Sequence, residues 1–453
     1  RASGRRWATT ASAETRAFLL SWADRTLDAG CDGIQIDDGG FQWAAETWGG
    51  GDFSPESLAG FGPWLASNFA PARLAALGVP STVNFDYRRW IGDVRGRIDV
   101  EDYLANRESL LLSNLWRTYQ ASSVIEFWRM MRAYLNQRSP RIPLSTNFGR
   151  VQPSIALNAL APFLDYTVSE VQAVDPPWRM ALAGATAEAM ALPFAGCYSG
   201  EAPRAALRQS IANCHASGII PVAPWDGYVA GPNGTFGKRF SPPPTDYADL
   251  FDFARDHAAL LDGWVGGGTL GVVIPLSAYP DAATNSLIIA MVAANVPFRL
   301  IGVGGDIAPG RPTREDFAGL SAVIVGNPGA LRINAVPKAI AVSRLPLVDA
   351  ASLPRWSAGG FEGRTDWRLS VRHRPTARGT TIVHIVANTL ESQPLSGRLV
   401  LHAGTPFRFE RTPQRRLLRP GHAPVVLSPQ RRVDGAVVYD LPMIEAWAML
   451  ADV

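Results

Sequence analysis

The stretch CDGIQIDDGG at residues 31–40 sets two adjacent carboxylates, Asp37 and Asp38, between a short apolar run and a pair of glycines. Alternation along an extended segment puts Gln35 and Asp37 on one face and Ile34 and Ile36 on the other. On a strand of a parallel barrel the isoleucines would pack against the surrounding helices. Gln35 and Asp37 would then point inward, with Asp37 at the C-terminal mouth, where barrel enzymes carry their chemistry. The competing reading is turn chemistry, in which Asp37 or Asp38 caps the bend before Gly39 and Gly40. Another carboxylate, Glu170, ends the run FLDYTVSE. Carboxylates at two strand ends form the pair that glycoside hydrolysis needs. One protonates the leaving oxygen, and the other attacks or activates water. For Glu170 the competing reading is an ion pair with one of the many arginines.

Other polar and aromatic residues stand at strand ends. In VAPWDGY, Trp225 and Asp226 place an aromatic platform beside a carboxylate, which suits the C–H face and hydroxyls of a sugar ring. Trp225 as core is the alternative. Asn147 in STNFGR would orient substrate or satisfy its own turn. Glu201 in CYSGEAPRAAL follows a strand, yet it also falls in the first turn of a helix, where it complements the helix dipole. Two glycine-rich stretches, at 266–271 and 302–306, lack a P-loop lysine and the dinucleotide spacing, and read as turns.

The elements that must position these residues alternate helix and strand up to about residue 263. SAETRAFLLSWADRTLDAG (12–30) is a helix with Ser12 as N-cap, and SPESLAGFGPWLASNF (54–69) another, capped by Ser54 with Pro55 at its first position. A long helix is expected over 103–138. Strands are expected at 32–37, 142–148, 163–170, 192–199 and 218–226. Strands separated by helices argue for a parallel sheet, and five such units without a dinucleotide turn favour the (β/α)₈ TIM barrel over an open sheet. Only five of eight strands are visible. They fit strands four to eight, so the first three are expected from another polypeptide segment, a preceding one or a second chain. The glycines of GWVGGG (263–268) read as a hinge. The expected domains are therefore 1–265, the barrel; 266–352, a small open α/β flavodoxin-like domain; and 353–453, an antiparallel β-sandwich with period-2 strands near 380–388, 396–404, 423–428 and 435–442.

Composition narrows the function. The chain has 453 residues, a formal net charge of +3, 47% hydrophobic and 18% charged residues. Such a weak, scattered positive charge gives no reason to expect a nucleic-acid partner. Three cysteines form no disulfide framework or zinc pattern, and six histidines are too few and too clustered toward the C-terminus for a histidine metal site. No metal or cofactor is expected. No apolar stretch reaches membrane-spanning length and no apolar leader is visible, so a soluble protein is expected, cytoplasmic or secreted. Fourteen tryptophans and ten tyrosines suit a sugar cleft as well as a core.

The order of motifs IQIDDGGF, SPESLAGFGPWL, FDYRRW, RSPRIPLSTNFG and FLDYTVSE resembles that of glycoside hydrolase family 42 β-galactosidases. Residues 269–350 resemble that family's trimerisation domain, and the segment ending YDLPMIEAWAMLADV resembles its C-terminal domain. The resemblance implies a barrel glycosidase, a carbohydrate substrate and a homo-oligomer. The family's Asn-Glu pair at strand four falls here on Asp38 and Gly39, so its acid/base Glu is absent. Its nucleophilic Glu at strand seven falls nearest Tyr198, with Glu201 three residues on. The form DGIQIDD looks more like the strand-four signature of α-amylase-type and α-galactosidase-type barrels. There an aspartate in the place of Asp37 is the nucleophile, and Glu170 matches the α-galactosidase-type acid/base at strand six. The rival expectation is a non-catalytic carbohydrate-binding or scaffolding protein on such a barrel.

Overall fold

The computed structural model describes residues 8–452, apart from 97–98, 140, 150, 173–174, 200–202, 223–226, 231–235, 241, 277–278, 305–311, 333–334, 376–379, 390–391, 403–413 and 434–435. The chain divides into two compact units, Arg1–Phe148 with Ala159–Asp165, and Gly149–Asn158 with Tyr166–Val453.

The first unit is a helical core carrying two strands. Helix α1 (Ala13–Asp28) starts where Ser12 accepts the Thr15 N–H. It leads into β1 (Ile34–Ile36), and α2 (Phe41–Gly49) follows. Ser54 caps α3 (Pro55–Asn68) by accepting the Ser57 N–H at 3.2 Å. Short helices α4 (Pro71–Ala76), α5 (Tyr87–Arg95) and α6 (Val100–Asn106) precede α7 (Ser113–Arg138) and β2 (Leu144–Asn147). The single helix expected over 103–138 is broken, because a 3₁₀ turn at Arg107–Ser109 separates α6 from α7. Helix α7 buries Trp116, Tyr119, Gln120, Val124, Phe127, Trp128, Met131 and Leu135, neighbours three and four residues apart along one helical stripe. Phe61, Leu65, Tyr87 and Trp116 share one cluster, so much of the aromatic content is core rather than cleft. Strands β1 and β2 pair in parallel, Ile34 with Leu144 and Ile36 with Thr146.

The second unit begins around α8 (Ile155–Leu160), which straddles the division. Parallel strands β3 (Tyr166–Gln172), β4 (Phe194–Ser199) and β5 (Ile220–Pro221) alternate with α9 (Pro177–Ala189) and α10 (Arg204–Ala216). All five expected strands are present. The last is only two residues long. A hairpin, β6 (Gly227–Ala230) with β7 (Phe236–Phe240), and α11 (Ala248–Asp256) come next.

The expected hinge at 263–268 instead contains β8 (Val265–Gly266), which pairs with a strand of the C-terminal sheet. A three-stranded parallel sheet then forms with β9 (Leu270–Pro275) between β10 (Phe298–Val303) and β11 (Ala322–Val325). Helices α12 (Ala282–Ala293) and α13 (Ala335–Ser343) belong to the same segment. All of β9 is buried, because Val272 and Ile274 join one apolar cluster while Val273 joins another. A continuous apolar run is what a doubly covered parallel strand requires.

The C-terminal strands are β12 (Gly359–Phe361), β13 (Trp367–His373), β14 (Thr381–Ala387), β15 (Leu395–His402), β16 (Arg415–Arg419), β17 (His422–Leu427), β18 (Arg431–Val433), β19 (Ala436–Ile444) and β20 (Trp447–Asp452). They form a four-stranded sheet, β12-β15-β19-β18, and a six-stranded sheet, β17-β16-β20-β14-β13-β8. One core joins them, with Leu399, Leu401 and Tyr439 from the first and Trp367, Ile385 and Leu450 from the second. The six-stranded sheet has its other face covered as well. There Gln209 and Asn213 of α10 donate to the Ala387 carbonyl at 3.2 and 3.1 Å, and Ser370 Oγ donates to Ala216 O at 2.6 Å.

The architecture is thus mixed α/β, with parallel strands first and antiparallel sheets last. No helix among the described residues is long and apolar enough to cross a membrane.

Candidate active site

In the first unit the alternation expected of IQI is present: Ile34 is buried, Gln35 exposed and Ile36 half-buried. The strand ends in a turn locked from below. Trp128 Nε1 of α7 donates to Gly39 O at 2.8 Å, and the Gly39 N–H donates to Thr146 Oγ1 at 3.0 Å. A Cβ on Gly39 would lie 2.5 Å from Trp128 Cζ2 and closer still to Thr146 Oγ1, so close approach demands glycine here. Asp38 adopts φ +48°, a left-handed conformation that aspartate tolerates better than most residues. Its carbonyl accepts the Phe41 N–H at 3.0 Å and starts α2.

This turn leaves both Asp37 and Asp38 exposed. Among the described residues neither carboxylate accepts a hydrogen bond or joins an ion pair. Partial burial, then the charge of Asp37, raises the Asp38 carboxyl above its ordinary range. One step beyond the last β1–β2 pair, the register sets Asp37 beside Asn147, which is half-buried at the end of β2.

In the second unit Glu170 lies near the C-terminal end of β3. It is exposed, while its neighbours Ser169 and Val171 are buried. Among the described residues it forms no ion pair. Its register partner on β4 is Cys197. Burial and then the Glu170 charge push the Cys197 thiol up, which leaves it protonated and unreactive at neutral pH. Tyr198 is on β4, but its side chain lies outside the described residues, as do Glu201, Trp225 and Asp226.

Sequence reasoning overlooked a cleft of about 150 Å³ bordered by Glu170, Asp175, Trp178, Tyr279 and Asn285. Arg179 Nη1 is 3.0 Å from Asp175 Oδ1, and its guanidinium lies 5.5 Å from the centre of the Trp178 ring. Tyr279 Oη donates to Asn285 Oδ1 at 3.0 Å, and burial with the Asp281 charge pushes its pKa up to about 12. Trp178 and Tyr279 also pack against the core of the three-stranded sheet. The cleft has room for one ring-sized guest, flanked by two aromatic rings and two carboxylates. The available signal was DPPW (175–178), an aromatic residue set by two prolines just beyond the end of β3. No group of three or more His, Cys, Asp or Glu that could hold a metal ion occurs among the described residues.

No family model matches the chain. An alpha-agarase of Thalassotalea agarivorans is 24% identical over 355 residues, 69% of this chain and 23% of the relative. An alpha-agarase of Alteromonas agarilytica is 24% identical over 360 residues, again 69% of this chain and 23% of the relative. The chain therefore spans less than a quarter of the length of the curated relatives it matches. Among solved structures, a beta-galactosidase from the psychrophilic Marinomonas ef1 aligns with 100% of this chain and 85% of its own, with a TM-score of 0.61 and 10% identity. The chain has that protein's fold. Its resemblance to glycoside hydrolases is remote and is present in both sequence and fold.

Proposed function

We propose that the chain belongs to a glycoside hydrolase that cuts O-glycosidic bonds in a galactose-based polysaccharide of the agar class. The observation that carries the reading is the placement of Asp37 and Glu170. Each is an exposed carboxylate close to the C-terminal end of a parallel strand, and neither has a structural partner among the described residues. The agarase relatives support the polysaccharide class.

In this reading Glu170 gives its proton to the leaving glycosidic oxygen as the bond to the anomeric carbon breaks. Asp37 attacks that carbon, or takes a proton from the water that does. Where Asp37 attacks, water then displaces it, leaving its hydroxyl on the anomeric carbon and its proton on Glu170; where Asp37 takes the water's proton, it passes that proton to solvent while Glu170 is reprotonated from solvent. Carboxyl separations of about 5 Å and roughly 6.5–9.5 Å distinguish retention from inversion. Asn147, beside Asp37, would hold a sugar hydroxyl. We also propose that the five parallel strands are part of a (β/α)₈ barrel completed by a further polypeptide segment. Support comes from β1, which pairs only with β2 among the described strands and would otherwise be an open edge. Assembly through the α/β segment is proposed from the family resemblance alone.

The test is reducing-end release from agarose and from aryl galactosides, comparing wild type with Asp37→Asn and Glu170→Gln. Loss of turnover in both variants with unchanged circular dichroism supports the assignment, and near-normal turnover in both overturns it. Carbohydrate binding without hydrolysis is the second reading. It is favoured by the exposure of Glu170, which leaves that carboxylate in solvent rather than in an enclosed, water-excluding setting. Polysaccharide binding with no reducing-end release from wild type would establish it.

A further inference from the structure

Beneath the six-stranded sheet, two guanidinium groups on β13 are buried against α9 and α10. Arg368 is 3% exposed and Arg372 5%. Arg372 has a counter-ion. Its Nη2 donates to Glu188 Oε1 at 2.6 Å and to Trp264 O at 2.5 Å. The other Glu188 oxygen accepts the Gly266 N–H at 2.9 Å, so this carboxylate is fully engaged.

Arg368 has only neutral partners. Its Nε donates to Asn213 Oδ1 at 2.8 Å and its Nη2 to Ser217 Oγ at 3.3 Å. No carboxylate pairs with it among the described residues. A guanidinium stays protonated in proteins, and a buried charge without a counter-charge is costly. Arg368, Arg372 and Glu188 all border a cavity of about 60 Å³, whose wall also includes Ser217 and Asn295. That is room for a few water-sized occupants, since roughly 10–15 Å³ suffices for one. The charged groups at the cavity are two cations and one anion, a net excess of one positive charge. Their field is felt nearby: burial, then the charges of Arg372, His215 and Arg368, hold the His384 ring neutral.

We propose that this cavity binds a small monovalent inorganic anion of the halide class as counter-ion to Arg368. The anion fastens β13 of the sandwich to α9 and α10. Ser217 Oγ and Asn295 Nδ2 are the neutral groups at hand, although Asn295 Nδ2 already donates to Gly359 O at 3.1 Å.

The experiment is thermal unfolding of the full chain at constant ionic strength, with chloride or bromide replacing gluconate, which is too large for the cavity. A saturable rise of about 2–4 °C with either halide is expected, the response to a ligand that binds only the folded state. Crystals grown in bromide should show an anomalous peak within hydrogen-bonding distance of Arg368. Arg368→Met should abolish both effects. Should that variant fail to fold, the bromide data on wild type still decide. A melting temperature that follows ionic strength alone, or a cavity holding only water at saturating bromide, overturns the proposal.

Discussion

Charged side chains live under opposite conditions at the strand ends and beneath the C-terminal sandwich. Asp37, Asp38 and Glu170 stand in solvent without a hydrogen bond or ion pair among the described residues. Arg368, Arg372 and Arg415 are each 5% exposed or less. They are held by Asn213 and Ser217, by Glu188, and by Asp452 respectively. The folded state depends on the second group, because burying an unmatched charge costs several kcal/mol. Among the described residues it draws no comparable support from the first. The difference separates residues whose loss should unfold the chain from residues whose loss should silence it.

The largest stability effect is expected at Trp447. It is 1% exposed, stacks on His215 at 5.0 Å between ring centres, and donates from Nε1 to His384 Nδ1 at 3.2 Å. Trp447→Ala should cost about 3–5 kcal/mol by chemical denaturation. A loss under 1 kcal/mol would mean that the sandwich core is not as closed as described. Next comes Arg372→Met, which strands Glu188 and should cost about 3 kcal/mol in the same assay. Gly39→Ala should cost roughly 1–3 kcal/mol, because the added methyl group collides with Thr146 and Trp128. Parity with wild type would show that the turn below Asp37 is loose.

Acid should weaken the sandwich side before the strand ends. Burial pulls the pKa of His215 from 6.5 to about 4, and that of His384 falls in the same direction. The folded chain keeps both rings neutral while the unfolded chain protonates them below pH 6.5. More protons are therefore bound in the unfolded state, and stability falls as pH drops from about 6.5 toward 4. Denaturant midpoints across that window would show it, and His215→Phe should flatten the slope. The smallest stability effect belongs to Asp37→Asn, within about 0.5 kcal/mol of wild type.

The same contrast explains what could be read from the sequence. Ser12 and Ser54 announced their helices because a capping side chain acts locally. The alternation of IQI placed Gln35 on the open face, since one side of β1 is covered and the other is not. In WRLSVRH both faces are covered, so Arg368 and Arg372 are buried where period-2 logic would send an arginine to solvent. WAMLAD is buried at nearly every position for the same reason, and lacks an alternating signature. The glycines at 263–268 read as a hinge because nothing local reveals that Val265 and Gly266 pair with His373 and Arg372, more than a hundred residues away. The end of β1 before Asp37 was legible because a strand's end is a local feature, whereas β3 runs two residues past Glu170, to Gln172. The cleft beside Glu170 was not legible, since Tyr279 and Asn285 reach it from a distant segment.

The central claim is that Asp37 does chemistry and supports no structure. The most direct measurement follows reducing-end release from agarose by wild type and Asp37→Asn, with the melting temperature of each recorded on the same preparation. A rate loss of about a thousandfold or more with an unchanged melting temperature is the predicted result. Retained turnover in Asp37→Asn, or a fall in melting temperature that accounts for the lost activity, would contradict it.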